Sequence, residues 1–481
     1  MKNALNECIS NQQFIRFYAK KGMFFLVLLL CIVVLILPGF FRLQNSSAGD
    51  DGYYYFRIAN QLKDNTLARD EFSFGGRNNF LPLGWAYILA GTSYFSGLDV
   101  ESVSRILLFL LGIGSLILFY LILENYDHNF RLITSSILVL SPAFIYLFSI
   151  NNRFAFPVFL TLLIFYLSLN ERYLLAVLFS LLIPFFGFLN LLFVGLFFLS
   201  YFFYKKKRIF RKTLFIFFIL LLISSFINFY LNWVVGLGVE LSLLSFISDF
   251  GPKYGFSFFT FLLVCFGLLF FWRKRDYAFF YITGIILFLI SFKIDWLIFY
   301  LNFIVCFLAG LSFLKLYNRK WESSLVGKLT LWILVCGIVF SGVSYLSQFD
   351  NFKPNDELFI ALDEIPNGAV VLSHYSNGYW LEYSGKKTFM DPFFSGVSDL
   401  NERKKDANDI FYSKDIEKTK NLLDKYNIEY IFIDKDMRNG KVWTKSEEGL
   451  LFLLEVSPSF ESIYKSDNFM IWRYLKENGT S

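Results

Sequence analysis

From Gly22 to about Leu346 the chain is a succession of apolar blocks, each cut by a short polar or basic break. No other feature constrains the fold as strongly. A helix needs about 20 apolar residues to cross ~30 Å of hydrocarbon, and only helices and closed barrels satisfy their backbone inside lipid. The blocks are 22–41, 103–123, 132–150, 154–169, 173–187, 188–204, 213–235, 255–272, 278–292, 296–314 and 329–346. They predict a multi-span α-helical membrane protein with about eleven transmembrane helices. After Gln348 the blocks end and charge density rises, so a transmembrane domain over 1–347 is expected to give way to a soluble domain over 348–481.

Basic residues orient the spans, because loops on the cytoplasmic side carry the excess of Lys and Arg. Arg16, Lys20 and Lys21 precede the first span. Lys205, Lys206, Lys207, Arg208, Arg211 and Lys212 follow the sixth, Arg273, Lys274 and Arg275 follow the eighth, and Lys315, Arg319, Lys320 and Lys328 surround the break after the tenth. With the N-terminus cytoplasmic, all four clusters fall on the cytoplasmic side of the cell membrane. Residues 81–96 are apolar but short, and counting them as a span would put later clusters outside; they are read as an interfacial or re-entrant helix. The first external loop then covers 42–102, and the tail is external as well. The N-terminal block has no small-residue cleavage site and reads as a retained anchor.

The net charge of +6 is thus a topology signal and no nucleic-acid footprint. Cys31, Cys265, Cys306 and Cys336 lie in apolar blocks and Cys8 in the N-terminal segment, which rules out a disulfide framework in the tail. With only His128 and His374 in the chain, a histidine zinc site is not expected. The abundant Phe reads as lipid-facing and packing residues. In the tail, 369–373, 387–390 and 428–434 read as strands and 415–426 as a helix, with 469–474 closing the sheet of a small α/β domain.

The densest polar information is in the first external loop, Gly49-Asp50-Asp51-Gly52-Tyr53-Tyr54-Tyr55-Phe56-Arg57. The tyrosines suit a membrane–water boundary, which puts Asp50 and Asp51 at headgroup level. Such a pair can coordinate a divalent cation, serve as a general base, or cap the helix that starts near Gly52.

Asp51-Gly-Tyr-Tyr-Tyr-Phe-Arg57, placed after a first span, resembles the first-loop motif of the catalytic subunit of oligosaccharyltransferases. The layout is similar to the wider GT-C glycosyltransferase superfamily, with an acidic first external loop, many spans and an external C-terminal domain. Residues 371–385 are similar to the stretch around the WWDYG motif of that family, and 426–434 to the strand after it. Departures stand beside the likeness. His374-Tyr375-Ser376-Asn377-Gly378 keeps only the Gly, the second-loop turn Ser149-Ile-Asn-Asn-Arg153 lacks a carboxylate, and Ser245-Phe-Ile-Ser-Asp249 resembles a shortened Ser/Thr-x-x-Glu motif.

The resemblance implies transfer of a sugar or oligosaccharide from a polyprenyl-phosphate-linked donor to a glycan, lipid or protein acceptor on the non-cytoplasmic face. Asp51 is then the expected acceptor-activating residue, with Asp50 and Asp249 assisting and Glu240 a further substitute. Asp51 and Asp249 are the expected ligands of a divalent cation, Mg or Mn. Arg57, Arg153, Lys293, His374 and Tyr375 are the expected substrate or phosphate contacts, with Arg69, Arg77 and Asp295 in the same external segments. The rivals are an oligosaccharyltransferase acting on protein Asn, a transporter or flippase, and an inactive scaffold. Against a transporter, no span pattern repeats in two halves.

Overall fold

The computed structural model describes residues 2–42, 44, 46–66, 69–77, 81–187, 190, 195, 246–250, 255–271, 278–394, 397–445 and 448–476. These fall into two compact units. One contains the residues up to 43 and the described stretches from Ser104 to Asn351; the other joins Gln44–Val103 to Phe352–Ser481.

The first unit is helical. Nine of the expected apolar blocks lie on described residues, and each carries a helix: Lys2–Phe41, Val100–Ile122, the pair His128–Val139 and Pro142–Ser149, Ala155–Leu169, Tyr173–Ser180, Phe258–Phe271, Ala278–Ser291, Ile298–Tyr317 and Ser324–Ser347. The blocks 188–204 and 213–235, the basic residues 205–212 and 273–275, and Glu240 lie outside the described residues. Among the described residues, four helices are long and apolar enough to cross a membrane, or five if the pair bent by 62° at Leu140–Ser141 is one span. That bend has a local cause: Ser141 is extended and Pro142 opens the second helix, and a residue before proline is driven out of the helical region. The Asp295–Tyr317 segment is the innermost, 83% buried against 28–44% for the other three long segments.

The second unit is built on a five-stranded sheet of β1 (Val370–Leu372), β2 (Lys387–Thr388), β3 (Tyr430–Asp434), β4 (Phe460–Lys465) and β5 (Phe469–Tyr474) in the order β2-β1-β3-β5-β4. β1 runs parallel to β2 and β3, and β5 is antiparallel to β3 and β4. Every residue of β3 is buried, as a central strand requires. The expectation that 469–474 closes the sheet is corrected: β4 stands outside it, and its alternation is too weak to read as a strand from sequence.

Helix Ile416–Lys425 starts where Asp415 accepts from the amides of Glu417 and Lys418, and it packs Leu423 into the core with Ile410, Ile431, Trp443 and Trp472. On the other edge, the first loop covers β2. Thr388 donates its amide to Phe72 O at 2.6 Å, Ser73 bridges Thr388 in parallel, and Phe74 enters the same core. An edge covered in this way has no free ladder to offer another chain.

Candidate active site

Asp50 and Asp51 begin the helix Asp51–Lys63, and the backbone before them is fixed from both sides. Gly49 has φ +132, a conformation that side-chain-bearing residues rarely adopt. Its amide donates to Lys353 O at 3.1 Å, and its carbonyl accepts from Trp380 Nε1 at 3.1 Å. Asp50 occupies the cap position without a side-chain cap bond, which removes helix capping as its explanation. Asp51 sits in the first turn, where the helix dipole favours a carboxylate.

The tyrosines after Asp51 are not at a water boundary. Tyr53, Tyr54, Tyr55 and Phe56 are all fully buried. Tyr53 packs between Phe359 and Tyr383 and donates its hydroxyl to Ser47 O, while the Tyr54 hydroxyl accepts from the Leu81 amide. Tyrosine fits both settings; here protein aromatic rings take the place of lipid.

Behind Asp51 lies a buried ionic network. Arg57 reaches Asp70 with Nη1 at 2.8 Å and Nη2 at 3.1 Å, and Glu382 Oε2 with Nη2 at 2.9 Å. Arg77 bridges Asp70 to Asp391 and donates to Phe393 O. Arg57 is 5% exposed and Asp70, Glu382 and Asp391 no more than 1%. Two guanidiniums thus face three carboxylates. Burial, with Asp391 beside it, pushes the Glu382 carboxyl well above the usual range. Asp70 goes the other way, because Arg57 and Arg77 outweigh its burial. Arg57, expected to meet a phosphate, is given these carboxylates as partners instead. Arg77 belongs to the same network, and exposed Arg69 donates to Gly76 O.

His374, Tyr375 and Ser376 form a second cluster in this unit. Lys441 Nζ donates to Ser376 Oγ at 2.5 Å, and His374 Nδ1 lies 2.8 Å from the same oxygen. An ammonium only donates, and the Ser376 amide also points at Nδ1. The serine hydroxyl therefore donates to Nδ1, and the imidazole proton is on Nε2. Burial, then Lys441, pulls His374 down to about 4. Tyr375 lies against the His374 ring and Phe394 and is 39% exposed. Lys353 holds Asp434 at 2.5 Å and Asp436 at 2.7 Å. Lys353, Trp380, Glu382 and Lys441 were not singled out from sequence, since nothing in their local pattern marks them.

In the helical unit, the turn at 149–153 is built by its asparagines. Asn152 donates to Leu147 O and Ile150 O and accepts from the amides of Phe154 and Ala155, joining the end of one helix to the start of the next. Asn151 accepts from Ser104 Oγ. Phe154 stacks on Trp296 with ring centroids 5.0 Å apart, which sets the turn carrying Arg153 beside the turn carrying Lys293 and Asp295. Asp249 accepts from the Phe258 amide at 2.6 Å with one oxygen and from Ser341 Oγ with the other, so it caps the Phe258–Phe271 helix. Asp50, Asp51, His374 and Tyr375 belong to one unit and Asp249, Arg153 and Lys293 to the other. Among the described residues, no three His, Cys, Asp or Glu side chains are grouped to hold a metal.

No family model matches the sequence, and no curated protein matches it. Solved structures do match. The Archaeoglobus fulgidus oligosaccharyltransferase in the apo form aligns over 96% of this chain and 75% of its own at 13% identity, with a TM-score of 0.65. The same enzyme has been solved with an inhibitory peptide and a dolichol-phosphate, and with Zn and sulfate. ArnT from Cupriavidus metallidurans bound to undecaprenyl phosphate aligns over 94% of this chain and 98% of its own at 10% identity, TM-score 0.56. The mycobacterial arabinofuranosyltransferase AftD covers 94% of this chain and 42% of its own at 13% identity, also with a TM-score of 0.56. The chain shares the fold of these solved structures.

Proposed function

We propose that this GT-C-fold chain is a membrane glycosyltransferase that moves a sugar or oligosaccharide from a polyprenyl-phosphate-linked donor to an acceptor on the non-cytoplasmic face. The observation that carries this reading is the Asp50–Asp51 pair, presented at a helix start by a Gly49 backbone held on both sides. The matched oligosaccharyltransferase and ArnT, solved with dolichol-phosphate and undecaprenyl phosphate, support the donor class. The basic clusters support a cytoplasmic N-terminus and an external tail.

In this reading Asp51 takes the proton of the acceptor nucleophile as that atom bonds to the anomeric carbon. The bond from that carbon to the phosphate oxygen breaks, and its electron pair leaves with the lipid phosphate. Arg153 and Lys293, on neighbouring turns, are the cations assigned to that phosphate. His374 and Tyr375 are assigned to the acceptor side, and Asp50 assists Asp51. The acceptor is a glycan, lipid or protein; the loss of all but Gly378 from the WWDYG stretch favours the first two over a protein Asn.

A divalent cation, Mg or Mn, is a second reading, favoured by the A. fulgidus structure with Zn and sulfate. One of the two residues expected to hold it is already engaged. Asp249 already accepts from an amide and a hydroxyl, and the second-loop turn offers amide side chains that are engaged in capping. No step is therefore assigned to a metal.

The test is mass spectrometry of polyprenyl-linked sugars in cells carrying Asp51→Asn. Build-up of one lipid-linked sugar is expected, and its head group identifies the donor. An unchanged lipid pool with normal protein abundance would remove Asp51 as the base and leave the transporter or scaffold.

A further inference from the structure

Four tail residues that are close in sequence meet the first loop on either side of Asp51. Before it, the Trp380 indole N–H holds the Gly49 carbonyl at 3.1 Å. After it, Glu382 Oε2 accepts from Arg57 Nη2 at 2.9 Å, two turns along the helix that Asp51 begins. Between these contacts, Tyr53 lies 4.9 Å from the Tyr383 ring and Tyr54 lies 5.3 Å from the Tyr379 ring. All four tail residues belong to one short helix, Gly378–Tyr383. Gly378 permits that helix to sit where it does, since a Cβ there would stand 2.6 Å from Asp391 Cβ.

We infer that Trp380 and Glu382 are positioning residues for Asp51: the tail helix Gly378–Tyr383 grips the first loop on both sides of that carboxylate and fixes its place for proton transfer. The inference rests on the proposed role of Asp51. Neither residue touches the reacting atoms. Trp380 acts through the Gly49 carbonyl, one residue before the acidic pair, and is 4% exposed, so water does not compete for its N–H. Glu382 acts through Arg57. Its other oxygen, Oε1, accepts from Thr388 Oγ1 at 3.2 Å. A glutamine can make the same two contacts, whereas an alanine makes neither.

A misplacement of a catalytic group by 1 Å costs on the order of 100-fold in rate. Trp380→Phe, which removes the N–H and keeps the ring, is expected to lower kcat by about 10- to 100-fold while donor KM changes by less than about twofold. Trp380→His, which keeps a ring N–H, is expected to restore part of the rate. Glu382→Gln is expected to keep the rate and Glu382→Ala to lose it. Hydrogen exchange on the full chain in detergent reads the grip without reference to activity: Trp380→Phe is expected to speed exchange over 46–56 and leave 298–317 unchanged.

Unchanged exchange in Trp380→Phe would overturn the inference, and so would faster exchange with an unchanged rate. If Glu382→Gln were as inactive as Glu382→Ala, the hydrogen-bonding role given to Glu382 would fall. Should Asp51→Asn retain full activity while exchange still responds to Trp380→Phe, the grip would stand and the proposed function would be what had failed.

Discussion

Arg57 and Glu382 are separated by 325 positions in the chain, yet one guanidinium nitrogen lies 2.9 Å from one carboxylate oxygen, with both side chains almost wholly buried. Their contact ties the first loop to the tail inside one compact unit. Burying an ion pair is costly unless its partners are hydrogen-bonded; Asp70 also accepts from Arg57, and Thr388 also donates to Glu382.

Removing Arg57 would leave Asp70 and Glu382 short of a cation in a dry site. Arg57→Met is expected to destabilise the second unit by about 3–5 kcal/mol. Glu382→Gln, which keeps an acceptor oxygen for Arg57, is expected to fall within about 1 kcal/mol of the native chain. Chemical unfolding in detergent, followed by hydrogen exchange at 428–434, separates the two; equal losses would show that the charge of Glu382, and not its hydrogen bonds, holds the contact.

His374 gives a pH dependence of known sign. Its folded value of about 4 lies below the ordinary 6.5, so the unfolded chain takes up the proton first. Its contribution is fully present above the unfolded value and is lost as pH falls from about 6.5 toward about 4. Thermal unfolding from pH 8 to pH 4.5 is expected to show a steeper fall in the native chain than in His374→Gln. Parallel curves would show that His374 is not responsible.

Arg153 and Lys293 should act on donor binding. Replacing either by Met is expected to raise donor KM by about 10-fold, the size of one charge-assisted hydrogen bond. The effect is expected to be smaller with Arg153→Lys and to shrink at high salt. A change in kcat alone would place these residues elsewhere in the reaction.

Asp249 caps a helix, so its loss should register in stability. Asp249→Ala is expected to cost about 1–2 kcal/mol, and Asp249→Asn less, since an amide oxygen still accepts. Neither is expected to alter the response to EDTA, and chelation is expected to leave transfer intact. Loss of transfer in EDTA, with recovery by Mg or Mn, would support the second reading and return a cation to Asp51.

The sequence by itself determined the elements whose signal is local. Nine apolar blocks became helices, and 370–372, 387–388, 430–434 and 469–474 became strands, because hydrophobic period and turn residues act over a few positions. It also isolated Asp50 and Asp51 and placed them at the start of a helix.

Tertiary structure decided the partners. Asp70 and Glu382 claim Arg57, the Phe258 amide and Ser341 claim Asp249, and buried rings surround Tyr53 and Tyr54 in place of the expected water boundary. The physical reason is the same in each case. A charge or a ring states what kind of neighbour it needs, but which distant residue supplies that neighbour depends on how the loop and the tail fold against each other.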